Sequence, residues 1–274
     1  MSVSRLDLDE VGSASGLAAK IHELCPDLSL DFDIEALCRQ LDIDQIKRID
    51  THAFAAALVT DENKAFGSIL LSSKTGRRRA RFSIGHELGH FLMPSHMPRE
   101  GQSFACLADD LRLGDAREQD RARRKEAEAN KFAAELLMPA AKVKSRFASL
   151  EPDLVEVARL ADAFDVSKGA MLRRYIDLHP AELAAVVLQW NRVVAIYRPN
   201  TFPWIEAKIG QLVPVDSIAH AHELAPGSTS EVEECDLETW LNDYSAKNVE
   251  VLCEQVAAQQ GGFSTVLLLA ELAD

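Results

Sequence analysis

Apolar residues recur at helical spacing in "ASGLAAKIHELC", where Pro26 closes the repeat, and in "DIEALCRQL", where Asp33 stands as a cap. The period then changes. "IKRIDT", "AFAAALVT" and "GSILLSS" are short apolar runs separated by polar turns such as "DENKAFG", and they predict strands of a small sheet. A helix is expected from Phe82 to Met93, stopped by Pro94. Residues 98–117 read as a loop containing Gly101 and Gly114. A long helix follows from Glu118 to Met138, apolar at 129, 132, 133, 136 and 137. "DLVEVARLADAFDVSKGAMLRRYIDL" reads as two helices around the turn "FDVSKG", a helix-turn-helix-like segment near 151–178. From about Ala181 the texture shifts: "LAAVVLQW", "RVVAIYRP", "VEVLCEQVAA" and "STVLLLAEL" predict strands, and "ETWLNDYS" a short helix. The expectation is an α+β fold with a first domain over 1–180 and a smaller C-terminal α+β domain over 181–274.

The chain has 274 residues, 47% hydrophobic and 27% charged, enough for one large or two ordinary soluble domains. Its formal net charge of −13 argues against a nucleic-acid binder, which needs a basic footprint. Only Arg173 and Arg174 mark the second helix of the helix-turn-helix-like pair, so direct nucleic-acid binding is not expected. The one basic run, "RRRAR" at 77–81, reads as a solvated loop before a helix. No basic-then-apolar leader opens the sequence, and "VLLLAEL" is far too short to span a membrane. Cys25, Cys38, Cys106, Cys235 and Cys253 are scattered and form no CxxC pair, so reduced thiols and a cytoplasmic location are expected.

The chemistry concentrates in "RFSIGHELGHFLMPSH". His86 and His90 stand one helical turn apart, so both imidazoles can reach one metal ion. Glu87 points beside that ion, where a carboxylate can act as general base on water. Ile84, Leu88, Phe91 and Leu92 would bury the helix, and Gly85 and Gly89 would admit a close neighbour. A catalytic Zn2+ takes three protein ligands and keeps one open position. Three residues compete for the third place. Glu126, in "EAEANKFAAELLMP", would come from a second helix, with Asn130 one turn on to hold a ligand histidine. His96 has the spacing of the HExxHxxGxxH pattern, but Met93 stands where that pattern has its turning glycine. Glu128 points elsewhere on the second helix. His96 and His52 are also candidates for an oxyanion partner. Cys106 could reach the open metal position as an inhibitory thiolate; packing as a small apolar residue is its plainer role.

"RRRARFSIGHELGHFL" followed by "EAEANKFAAELLMP" resembles the ImmA/IrrE family of bacterial metallo-endopeptidases. The resemblance covers residues 20–180 and implies a gluzincin-like core: a small sheet, the HExxH helix and a ligand helix. It further implies Zn2+ held by His86, His90 and Glu126, with Glu87 catalytic. The substrate it implies is a helix-turn-helix repressor whose cleavage derepresses stress-response or mobile-element genes. The segment from Met93 to Arg124 between the two motifs is long, and the C-terminal domain is of no assigned type, with a regulatory or sensor role expected. The substrate would lie extended against "GSILLSS". The competing readings are a non-catalytic regulator that sequesters its partner and a DNA-binding regulator.

Overall fold

The computed structural model describes residues 3–97, 104–105, 116–147, 151–221 and 224–273. The described residues form ten α-helices and two sheets, a mixed α+β architecture. They divide into two compact units, one of Met1–Lys142 with Asp162–Ser167, the other of Val143–Ala161 with Lys168–Asp274.

In the first unit α1 (Ala14–Leu24) starts where Ser13 accepts a hydrogen bond from the Gly16 amide, and buries Leu17, Ala18 and Ile21. At α2 (Ile34–Gln40) the Asp33 carboxylate accepts from the Glu35 and Ala36 amides at 2.9 and 3.2 Å, the cap expected from sequence. The sheet strands are β1 (Ile43–Ile49), β2 (Ala56–Thr60), β3 (Gly67–Ser72) and the two-residue β4 (Phe104–Ala105), in the order β1-β3-β2-β4. β1 runs parallel to β3; β2 is antiparallel to both β3 and β4. Both edges of β3 are therefore occupied, and "GSILLSS" cannot take a peptide by strand addition as expected. β4 lies within 98–117, so that stretch is not all loop.

The next helix, α3 (Arg77–Leu92), starts five residues before the expected Phe82. The basic run thus forms its first turn rather than a solvated loop. Cations at a helix N-terminus oppose the macrodipole, and acidic partners offset them here. Arg77 pairs with Asp165, and Arg78 Nη2 lies 2.8 Å from Asp162. Arg81 is buried and donates to the Phe32 carbonyl. α3 packs against β2, β3, α2 and α4 (Ala116–Leu137).

In the second unit, α5 (Ala140–Lys144) lies across the division, and most of α6 (Leu154–Ala163), together with α7 (Lys168–Leu178), accompanies an antiparallel sheet. The strands are β5 (Glu182–Gln189), β6 (Arg192–Tyr197), β7 (Glu233–Glu234), β8 (Val249–Ala258) and β9 (Phe263–Leu272), in the order β6-β5-β9-β8-β7. Trp190 and Asn191, at φ 50 and 59°, make the two-residue turn joining β5 to β6. α7 packs on β5, and the Leu154 amide donates to Gln255 Oε1 at 2.8 Å. Arg173 donates to Tyr197 Oη at 2.6 Å and lies over its ring, while Arg174 is buried. Val186, Leu188, Leu252, Val266, Leu268 and Trp240 share the core, beside the short α8 (Ile218–Ala221). The expected helix "ETWLNDYS" is two turns, α9 (Leu237–Trp240) and α10 (Asp243–Ala246), because Asn242 accepts from the Ser245 amide and starts the second. Among the described residues no helix is long and apolar enough to cross a membrane, and Cys25, Cys38, Cys235 and Cys253 are free thiols.

Candidate metal centre

α3 brings His86 and His90 to the same face, one turn apart, and buries both along with Glu87. α4 crosses against it. Contact is close because Gly89 faces the Phe132 side chain and Gly85 faces Ala133; a Cβ at Gly89 would meet Phe132 Cδ1 at 2.9 Å. That approach brings Glu126 to the imidazoles. Its two carboxylate oxygens lie 3.2 Å from His86 Nε2 and 3.2 Å from His90 Nε2, and the two Nε2 atoms are 3.1 Å apart.

The donor set fits a divalent cation. Three ligand atoms lie within 4.8 Å of one another. A tetrahedral ion with bonds of about 2.0–2.1 Å has donor–donor edges of about 3.3 Å, close to the separations found. The tautomer also fits. His86 Nδ1 lies 3.0 Å from Asn130 Oδ1, so in the tautomer a metal ion needs, with the proton on Nδ1 and the Nε2 lone pair inward, that proton has an acceptor.

The electrostatics follow from that crowding. Burial works against a charged His86, but its hydrogen bond to Glu126 and the charges of Glu87 and Glu126 outweigh it and raise its pKa. For His90 burial prevails, helped by the positive neighbours His86 and Lys64, and the pKa falls. Burial also opposes ionised Glu126, yet its bonds to both histidines hold the carboxyl well below its usual range.

A family model described as the IrrE N-terminal-like domain of peptidase M78 matches residues 38–175, which include α3 and α4. The chain belongs to this family. Among solved structures, a transcriptional regulator of Mycobacterium tuberculosis is similar, with 12% identity and a TM-score of 0.52 over 97% of this chain and 92% of that one. At that identity the likeness speaks for the fold. No curated protein matches the sequence.

The other residues singled out in this M78 sequence fall in different places. His96 does not join the cluster. Met93 leaves the helix in extended conformation (φ −72°, ψ 121°) and no left-handed residue follows before His96. The chain turns through a bond from the His96 amide to the Met93 carbonyl at 3.1 Å. His96 Nδ1 then lies 3.0 Å from Nδ1 of His90, on the side of the ring away from Glu126. Its Nε2 lies 2.8 Å from Glu128 Oε2. Burial, against the Glu128 hydrogen bond, lowers the His96 pKa to about 4. His52 is exposed between β1 and β2. Cys106 lies outside the described residues.

Sequence reasoning missed Lys64. In the turn between β2 and β3, at φ 51°, it is buried and donates from Nζ to the carbonyls of His90 and Met93 at 2.7 and 2.9 Å. It thereby caps the C-terminus of α3 immediately beyond His90. Burial, with Lys125 and Arg5 nearby, lowers its pKa to about 7. No local pattern marks a lysine in "DENKAFG" as anything but polar surface.

Proposed function

We propose that this chain is a zinc-dependent endopeptidase with a gluzincin-like centre, whose substrate is a helix-turn-helix transcriptional repressor. The convergence of His86 Nε2, His90 Nε2 and Glu126 on one point, with Glu87 buried beside it, carries the reading. Zn2+ held by these three residues would supply Lewis acidity, making a water able to give up its proton near neutral pH. Glu87 takes that proton as the water oxygen attacks the scissile carbonyl. The C–N bond then breaks and Glu87 returns the proton to the leaving amine. Asn130 holds His86 in the required tautomer. A substrate segment would lie extended along an outer edge of the sheet, whose edge strands are β1 and β4.

The repressor as substrate rests on the family and on the similar structure's name as a transcriptional regulator. Cleavage would derepress stress-response or mobile-element genes in the cytoplasm. The strands over 181–274 would form a regulatory or sensor domain, complementing a peptidase domain over 1–180.

The test is Glu87→Gln, compared with wild type with and without chelator, on a purified repressor-like substrate. The variant should bind one zinc per chain and cleave at least about 100-fold more slowly, the scale of general-base removal. Cleavage at the wild-type rate would contradict the assignment. A variant that still derepresses the target genes in cells would instead favour sequestration without proteolysis.

A further inference from the structure

We propose that His96 and Glu128 are positioning residues, forming a two-step relay that fixes the tautomer and orientation of the His90 ring toward the metal. The proposal rests on the metal-centre reading above and adds to it a function for two residues outside the three-atom cluster.

Two ring nitrogens 3.0 Å apart, His90 Nδ1 and His96 Nδ1, can bond only if one carries a proton and the other a lone pair. The far end of the chain decides which. Glu128 Oε2, 2.8 Å from His96 Nε2, is an acceptor, so His96 keeps its proton on Nε2. Its Nδ1 is then the acceptor, and His90 Nδ1–H donates to it. The consequence is that His90 Nε2 carries a lone pair, and that is the atom 3.2 Å from Glu126 and 3.1 Å from His86 Nε2. The arrangement parallels His86, whose outer nitrogen meets Asn130 directly. His90 reaches its carboxylate through an intervening imidazole.

The surroundings hold the relay in place. His96 is 0% exposed. The turn that carries it is bonded from the His96 amide to Met93, and Lys64 donates to the carbonyls of both His90 and Met93. α4 therefore supplies two carboxylates with different tasks: Glu126 to the inner edge of the imidazoles, Glu128 to the outer end of the relay.

The test reads metal binding, so that it does not depend on cleavage. Full-length chains carrying Glu87→Gln would be compared with the same chains carrying also Glu128→Gln, Glu128→Asp or His96→Phe. Zinc affinity is measured by chelator competition, and geometry by the visible d–d bands of the Co2+-loaded protein. Glu128 is half exposed at its side chain, so its variants leave the buried packing intact. Expected are losses of affinity of about 10- to 100-fold for His96→Phe and about 10-fold for Glu128→Gln, with displaced Co2+ bands in both. Glu128→Asp should recover part of the affinity, and the melting temperature of metal-free Glu128→Gln should match its parent. Wild-type affinity and spectra in Glu128→Gln and in folded His96→Phe would overturn the relay while leaving the metal centre standing. A parent chain that binds neither zinc nor Co2+ would overturn both, and would be seen before any variant is compared.

Discussion

Two glutamates, one in each unit, show how differently a folded chain can hold a carboxylate. Glu254 is buried in the second unit and accepts from Ser217 Oγ at 2.7 Å, the Ile218 amide at 2.8 Å and Trp240 Nε1 at 3.1 Å. Those are neutral N–H and O–H donors, and together they occupy both carboxylate oxygens. Such a residue ties α8, α9 and β8 together and leaves nothing to bind. Glu126 in the first unit faces two imidazole nitrogens instead, and the other ring nitrogen of one of them meets Asn130. Three groups that can each offer an electron pair then converge, a set that could hold a metal ion. Burial alone does not mark a site; the kind of partner does.

The largest effect is expected for Glu126→Ala. Loss of a direct ligand should weaken zinc at least about 1,000-fold, about 4 kcal/mol at 1.4 kcal/mol per decade. The metal-linked part of stability would go with it. Chelator competition checks this, and unchanged affinity would remove the distinction between the two glutamates. Glu254→Ala should do the reverse, with zinc affinity unchanged and folding stability down by about 3 kcal/mol, because three buried donors lose their acceptor. Denaturant titration measures it; a stability loss under about 0.5 kcal/mol would show that the donors find water or other partners.

A smaller effect sharpens the role of the α3–α4 approach. Gly89→Ala puts a Cβ 2.9 Å from Phe132 Cδ1 and 3.2 Å from its Cβ, so the helices must part. Overpacking of about 1–3 kcal/mol is offset in part by about 1 kcal/mol of helix propensity. We expect a lower melting temperature and weaker zinc binding. Gly85→Ala is the control, since its Cβ would meet Ile34 and Ala133 no closer than 3.4 Å. It should stay within about 1 kcal/mol of wild type. Equal behaviour of the two variants would deny that the close approach positions Glu126.

What the sequence makes legible is what local chemistry decides. Asp33 caps α2 because a carboxylate before an apolar repeat can reach two amides nearby. His86 and His90 share a face because four residues make one helical turn, and Glu126 with Asn130 repeats the arithmetic on α4. Long-range partners are not legible in this way. The early start of α3 depends on Asp162 and Asp165, more than eighty residues downstream of the arginines they neutralise. The interior place of β3 follows from how β1 and β2 pair, which its own apolar run does not encode. Met93 stands where the HExxHxxGxxH pattern has its turning glycine, so the spacing of His96 alone does not place it. Where His96 goes instead depends on Glu128, a residue the helical wheel alone set aside.

The most direct measurement is an anomalous difference map, collected at the zinc edge, from crystals of the full chain grown with zinc. The account predicts one strong peak about 2.0–2.1 Å from Nε2 of both His86 and His90 and from a carboxylate oxygen of Glu126, with His96 outside the coordination sphere. A peak coordinated by His96 or Glu128, with Glu126 turned away, would contradict it.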